Sequence, residues 1–176
     1  MYPNFLRIIL LFIFFSLTSC GFHLRGVTTL SQPLQKLYLK TENPYGQLAR
    51  NLRDYLNQSG IQVTDSPENA TTVLQILSEN QTQQLLSVSG TQQTRQYALT
   101  LVVTFQITDP HGVVLVPPQT LSEGRTFTTL SDQILAGSNE QNTMYQQMRR
   151  AIVYDIMNRL SSRDITTLLT NQKRGT

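Results

Sequence analysis

The chain has one cysteine, Cys20, and two histidines, His23 and His111. A lone cysteine excludes an intrachain disulfide, so the packing of a core has to stabilise the fold. No His/Cys cluster has metal-ligand spacing, and no metal or other cofactor is expected. No Gly-x-Ser-x-Gly elbow occurs, and no glycine-rich phosphate loop follows a strand pattern. Carboxylates such as Asp132 and Glu140 stand alone in the sequence. These absences argue against an enzyme. Charge is scarce as well: Asp, Glu, Lys and Arg make up 14% of the residues, with no dense basic run, so the footprint of a nucleic-acid binder is missing. Past residue 17 no hydrophobic stretch is long enough to span a bilayer.

What the chain does have is an apolar run at its start, Phe5 to Leu17, with Arg7 as its only charge. At about 13 residues it falls short of the roughly 20 a spanning helix needs, and it fits the apolar segment of a secretory signal. Small residues Thr18 and Ser19 precede Cys20, where a peptidase needs room. Leu17-Thr-Ser-Cys20 resembles the bacterial lipobox. That resemblance implies a signal peptide over 1–19, diacylglycerol on the Cys20 sulfur, cleavage before it and acylation of the new amine. Several acyl chains hold firmly, since each buried CH₂ adds about 0.8 kcal/mol. The residue after the cysteine is Gly21 rather than the Asp that marks inner-membrane retention, which implies an outer-membrane anchor with the body on the periplasmic side. Cleavage would leave 157 of the 176 residues, with 13 Lys+Arg against 11 Asp+Glu once Arg7 is removed. That length suits one domain with its own core.

Residues 20–34, with Gly21, Gly26, Pro33 and several Ser/Thr, form a linker of extended backbone. His23 and Arg25 within it either seat the anchor at anionic head groups or simply belong to the linker. Lys36 to Thr41 predicts a short strand. Asn43-Pro44 opens a helix whose apolar face is Leu48, Leu52, Tyr55 and Leu56, and Gly60 ends it. Ile61 to Thr64 is a brief extended piece. From Thr71 to Thr129 the pattern is β. Leu85, Leu86 and Val88 either prolong a strand that includes Val73, Leu74 and Ile76 or form another. Tyr97, Leu99, Leu101, Val103, Phe105 and Ile107 alternate with polar residues, the clearest strand signal in the chain. Asp109 to Gly112 is a turn, in which His111 is exposed filler. A return strand follows, broken at Pro117-Pro118, which suits an edge or a bulge. A second amphipathic helix of about 23 residues begins at Ser138 or Asn139, with Met144, Met148, Ile152, Ile156 and Leu160 on its apolar face. Ile165, Leu168 and Leu169 prolong it or belong to the tail, which frays over 171–176. The expected fold is α+β: a two-layer sandwich, two helices on one face of a four- to five-stranded mixed sheet, in a domain spanning 35–170.

The opening Cys20-Gly-Phe-His-Leu-Arg-Gly26 resembles the start of the mature LptE family of LPS-assembly lipoproteins. Asn43-Pro-Tyr-Gly-Gln-Leu48, Thr94-Arg-Gln-Tyr97 and Asn139-Glu-Gln141 match that family downstream, in order. The resemblance implies a small α/β sandwich that is not a catalyst. It implies a partner, the large LptD outer-membrane barrel, which this chain would help to fold and would plug. It also implies contact with lipopolysaccharide, and no nucleic acid. Some relatives carry basic residues just before the strand-turn glycine and before the last helix; here Ser89 and Gly137 stand at those places. Arg95 and Arg125 are the candidate lipopolysaccharide contacts in their stead, because a guanidinium donates two parallel bonds to phosphate. The alternative for each is a solvated charge on a polar face. The alternative for the whole chain is an anchored periplasmic lipid-binding or envelope scaffold lipoprotein.

Overall fold

Strand β4, Thr94–Thr108, is the spine of the molecule, and its alternation is the one the sequence predicts: Leu99, Leu101, Val103, Phe105 and Ile107 are fully buried. The computed structural model describes residues 32–91, 93–130 and 134–173. The other strands are β1 (Lys36–Lys40), β2 (Gln62–Thr64), β3 (Thr72–Val88) and β5 (Val114–Leu130). They form one mixed sheet in the order β2-β1-β3-β4-β5. β1 runs parallel to both β2 and β3, while β3, β4 and β5 are antiparallel. Helices α1 (Gln47–Gln58), α2 (Ile134–Leu160) and α3 (Arg163–Lys173) cover the face that β4 buries.

Helix α1 begins later than its sequence signals propose. Asn43 and Pro44 belong to a turn closed by the Gly46 N–H donating to the Asn43 carbonyl at 3.0 Å, because the residue before a proline resists helical backbone. Its end follows expectation. Gly60, at φ +76°, lets its N–H reach the Asn57 carbonyl and the Ile61 N–H reach Leu56, both at 3.0 Å. Ile61 and Leu56 are both buried, which completes the stop.

Helix α2 starts at Ile134, not at Ser138 or Asn139, so both of these lie inside it. Cap propensity loses here to tertiary packing, because Gly137 sits against Thr129 of β5. A Cβ at position 137 would meet the Thr129 Oγ1 at 2.8 Å. A glycine that weakens a helix interior by roughly 1 kcal/mol is here the residue that allows the close approach. The apolar face of α2 holds Met148, Ile152, Ile156 and Leu160 as expected. The third helix is a departure from a two-helix layer. Ser161 turns its hydroxyl back to the Met157 and Asn158 carbonyls at 3.0 and 2.9 Å, and α2 stops. Ser162 then caps α3, its Oγ accepting from the Ile165 N–H at 3.4 Å. Ile165 and Leu169 return to the core.

Strand β3 is continuous, which resolves the alternatives for Leu85, Leu86 and Val88. It is long: β1 accompanies it only from Thr72 to Gln75, and Ile76–Val88 run on, roughly 40 Å, with β4 alone. The hairpin of β3, β4 and β5 therefore overhangs the short strands. Register shifts at Leu77 and Leu86 exchange the faces of β3. Before Leu77 the even positions Leu74 and Ile76 face the helices; after it Glu79, Gln81 and Gln83 do. Helix α2 meets these polar residues with one face of its own. The Gln141 amide donates to Gln83 at 2.8 Å, the Tyr145 hydroxyl to the Thr82 carbonyl at 2.8 Å, and the Arg149 guanidinium to Glu79 at 2.7 Å. The opposite face of the hairpin is open and uncharged. It is a field of Thr, Gln, Ser and Asn in which Gln106 bonds Gln75 at 3.0 Å and Thr104 bonds Thr120 at 3.1 Å. The prolines 117 and 118 lie where β5 slips register against β4, on an edge strand, so they are at an edge and a bulge together.

Candidate functional site

The far tip of the hairpin gathers a cation and apolar surface around one cleft. Arg95 is the second residue of β4, opposite Val88 on one side and Thr129 on the other. It is exposed, and no carboxylate among the described residues pairs with it, since Glu79 and Arg149 make the single ion pair there. The cleft beside it has a volume of about 280 Å³ and is lined by Gln83, Tyr97, Phe127, Leu130 and Gly137, among others, none of them acidic. The Tyr97 and Phe127 rings stack with centroids 5.4 Å apart and floor it. Leu85, Leu86, Val88 and Leu130 surround the tip with between 41% and 49% of their surface exposed. A solvent-facing guanidinium beside such surface suits a molecule with an anionic head and an apolar body.

Arg95 lies on the helix-facing side of β4, as its odd number requires, rather than on the uncharged face. Gly137 lines the same cleft, so this position and Arg95 converge in space. Ser89 closes the β3–β4 turn instead: its Oγ accepts from the Thr94 N–H at 3.1 Å. Arg125 is not brought to the cleft. It is exposed on β5, opposite Leu99, further down the hairpin. Cys20, His23 and Arg25 lie outside the described residues. His111 is exposed in its turn, where the Asp109 carboxylate accepts from the His111 and Val113 N–H groups at 2.9 and 2.7 Å. Among the described residues no three His, Cys, Asp or Glu side chains gather as a metal site.

Sequence pattern alone singles out Arg95 and misses the apolar surround. Phe127 and Tyr97 are 30 residues apart, and only strand register pairs them. The one signal was the Leu85-Leu86 pair, two adjacent apolar residues close to a turn, where a half-buried strand would place only one inward.

Residues 34–160 match the family model described as LptE, lipopolysaccharide-assembly. The LPS-assembly lipoprotein LptE of Pectobacterium atrosepticum is 30% identical over 142 residues, covering 80% of this chain and 76% of that one. A minor lipoprotein of Acinetobacter baumannii superposes with a TM-score of 0.61 at 26% identity, over 76% of this chain and 93% of that one. Lipoprotein B of Nitrosomonas europaea shares the fold, with a TM-score of 0.66 at 24% identity over 80% and 90% of the two chains. A family match across all five strands and α2, with a relative of the same length class, has one consequence: the chain belongs to the LptE family of LPS-assembly lipoproteins.

Proposed function

We propose that the chain is an outer-membrane lipoprotein, held to the inner leaflet by acyl chains on Cys20, that assembles with an LptD-type barrel and plugs its lumen. In this reading it serves the insertion of lipopolysaccharide into the outer leaflet, and it does so without catalysing a reaction. The observation that carries the proposal is the uncharged polar face of the overhanging hairpin. Barrels wide enough to hold a plug have polar interiors. A broad field of Thr, Gln, Ser and Asn meets such a wall through hydrogen bonds and leaves no charge unpaired on burial. The Arg95 cleft at the tip is the proposed contact for lipopolysaccharide, and Arg125 a second cation along the same strand pair.

Co-purification tests this directly. The tagged full-length chain, extracted from membranes in mild detergent, is expected to bring down a large barrel in a one-to-one ratio. Depleting the chain should leave that barrel misfolded and lipopolysaccharide stranded in the periplasm. A monomeric, lipid-loaded chain never found with a barrel would favour the lipid-binding or scaffold alternative. The Arg95 assignment has its own check. Arg95→Ala is expected to weaken binding of purified lipopolysaccharide about tenfold, or ~1.4 kcal/mol, with the difference shrinking as salt rises. Equal affinities for the two proteins would remove Arg95 from the site.

A further inference from the structure

The free edge of β3 is the feature that the cleft and the plug leave unused. β1 pairs with β3 only as far as Gln75, so along Ile76–Val88 no strand lies on that side among the described residues. Every second residue of a strand directs its N–H and C=O to one neighbour. About half of this stretch therefore offers backbone donors and acceptors away from β4. Residues Asn80 to Val88 are all exposed. Proteins usually protect such an edge with lysine, proline or a covering helix. Ile76–Val88 contains no proline, lysine or arginine, and its one charge, Glu79, is bound to Arg149. The edge at β5 is different. It carries Pro117 and Pro118, its register is broken there, and α2 and α3 pack against the strand. One edge is guarded and the other is not.

The two bulges bound a regular run, Ser78 to Leu85. At its base a cleft of about 280 Å³ opens between the end of β1 and β3, lined by Asn43, Gly46, Gln47, Ser78 and Gln81 among others. A segment entering there runs toward the tip. On one side its residues lie beside Asn80, Thr82 and Gln84, and on the other beside Gln81, Gln83 and Leu85. The Tyr145 hydroxyl donates to the Thr82 carbonyl from the helix side and ties the strand to α2.

We propose that Ser78–Leu85 takes up one extended, uncharged segment of the partner polypeptide by strand addition. The inference rests on the barrel-plug reading for the identity of that polypeptide. The edge chemistry selects it over lipid, because a row of outward amides on a stretch whose one charge, Glu79, is already paired, with the carboxylate of Glu42 at its base, suits backbone and not anionic head groups. The one-to-one assembly of that reading leaves the barrel, rather than a second copy, as the neighbour.

The test uses the full-length chain, free and in its co-purified complex. Hydrogen exchange of peptides covering 76–88 is expected to slow at least tenfold for about half their amides in the complex. Photo-crosslinkers at the exposed positions Asn80, Thr82 and Gln84 should map to one continuous partner segment in steps of two residues, while those at Ser122 and Thr126, on the open face of β5, should reach the barrel wall without sharing that segment. Unchanged exchange in an intact complex would overturn strand addition and leave the plug standing. Crosslinks only to lipid, or only to a second copy of this chain, would overturn it too. Failure to isolate any complex would overturn both proposals together.

Discussion

Phe105→Ala is expected to lower the unfolding free energy by about 3–5 kcal/mol, measured as a fall in the urea midpoint at unchanged slope. Phe105 is fully buried toward the C-terminal end of β4, between Ile76 on β3 and Gln119 on β5. The alanine leaves a cavity between the two layers, beneath the strand that both long strand pairs share. A domain of this size has roughly 5–15 kcal/mol in total, so about a fifth or more of its stability is at stake. Thr104→Ala, one residue away on the open face, is the control. It breaks an exposed Thr104–Thr120 hydroxyl contact, and its effect should stay below about 1 kcal/mol. Similar losses for the two variants would mean that the two faces of β4 are not distinguished as described.

The second large effect is on location rather than stability. Cys20→Ala is expected to unfold at the wild-type midpoint, yet to move from the membrane fraction to the soluble periplasmic fraction. The stretch is anchored by acyl chains in the proposed function, and losing them removes the two-signal strength that makes anchoring stable. No helix among the described residues is long and apolar enough to cross a membrane. Recovery of the variant in the membrane at wild-type yield, in cells lacking the barrel, would contradict the assignment. So would mass spectrometry of the wild-type protein that found its mature amino terminus free of fatty acid.

Much of the fold is legible in local pattern because one residue's environment there is set by near neighbours. The alternation from Tyr97 to Ile107 places β4 and tells its two faces apart. Gly60 stops α1, since a left-handed residue is needed there and glycine supplies it. Pro117 and Pro118 cannot donate to a ladder, and they do lie on an edge strand. Two helix starts depart from their local signals for opposite reasons. Asn43-Pro44 carries a helix-opening signal but closes a turn; Ser138 and Asn139 carry a cap signal but lie within a helix that packing extends. A cap is worth about 1 kcal/mol, and contacts with the rest of the fold outweigh it.

The candidate site was legible only in its cation. Arg95 stands out as a lone guanidinium near a turn, but its cleft is made by residues from β3, β4, β5 and α2. Arg125 has the same chemistry in sequence and a different place in space. Likewise the polar ladder of Gln141, Tyr145 and Arg149 has a visible spacing of four, yet its partners depend on a bulge at Leu77 that no local pattern announces.

The amino-acid sequence by itself determined the element order as far as the second long helix, the inward residues of β4 and the family, because each is written in neighbours along the chain. The tertiary structure alone decided which residues of β3 face the helices, which arginine meets an apolar cleft and which sheet edge is left bare. Those outcomes depend on strand register, and register is settled by how distant segments bury their surfaces against one another.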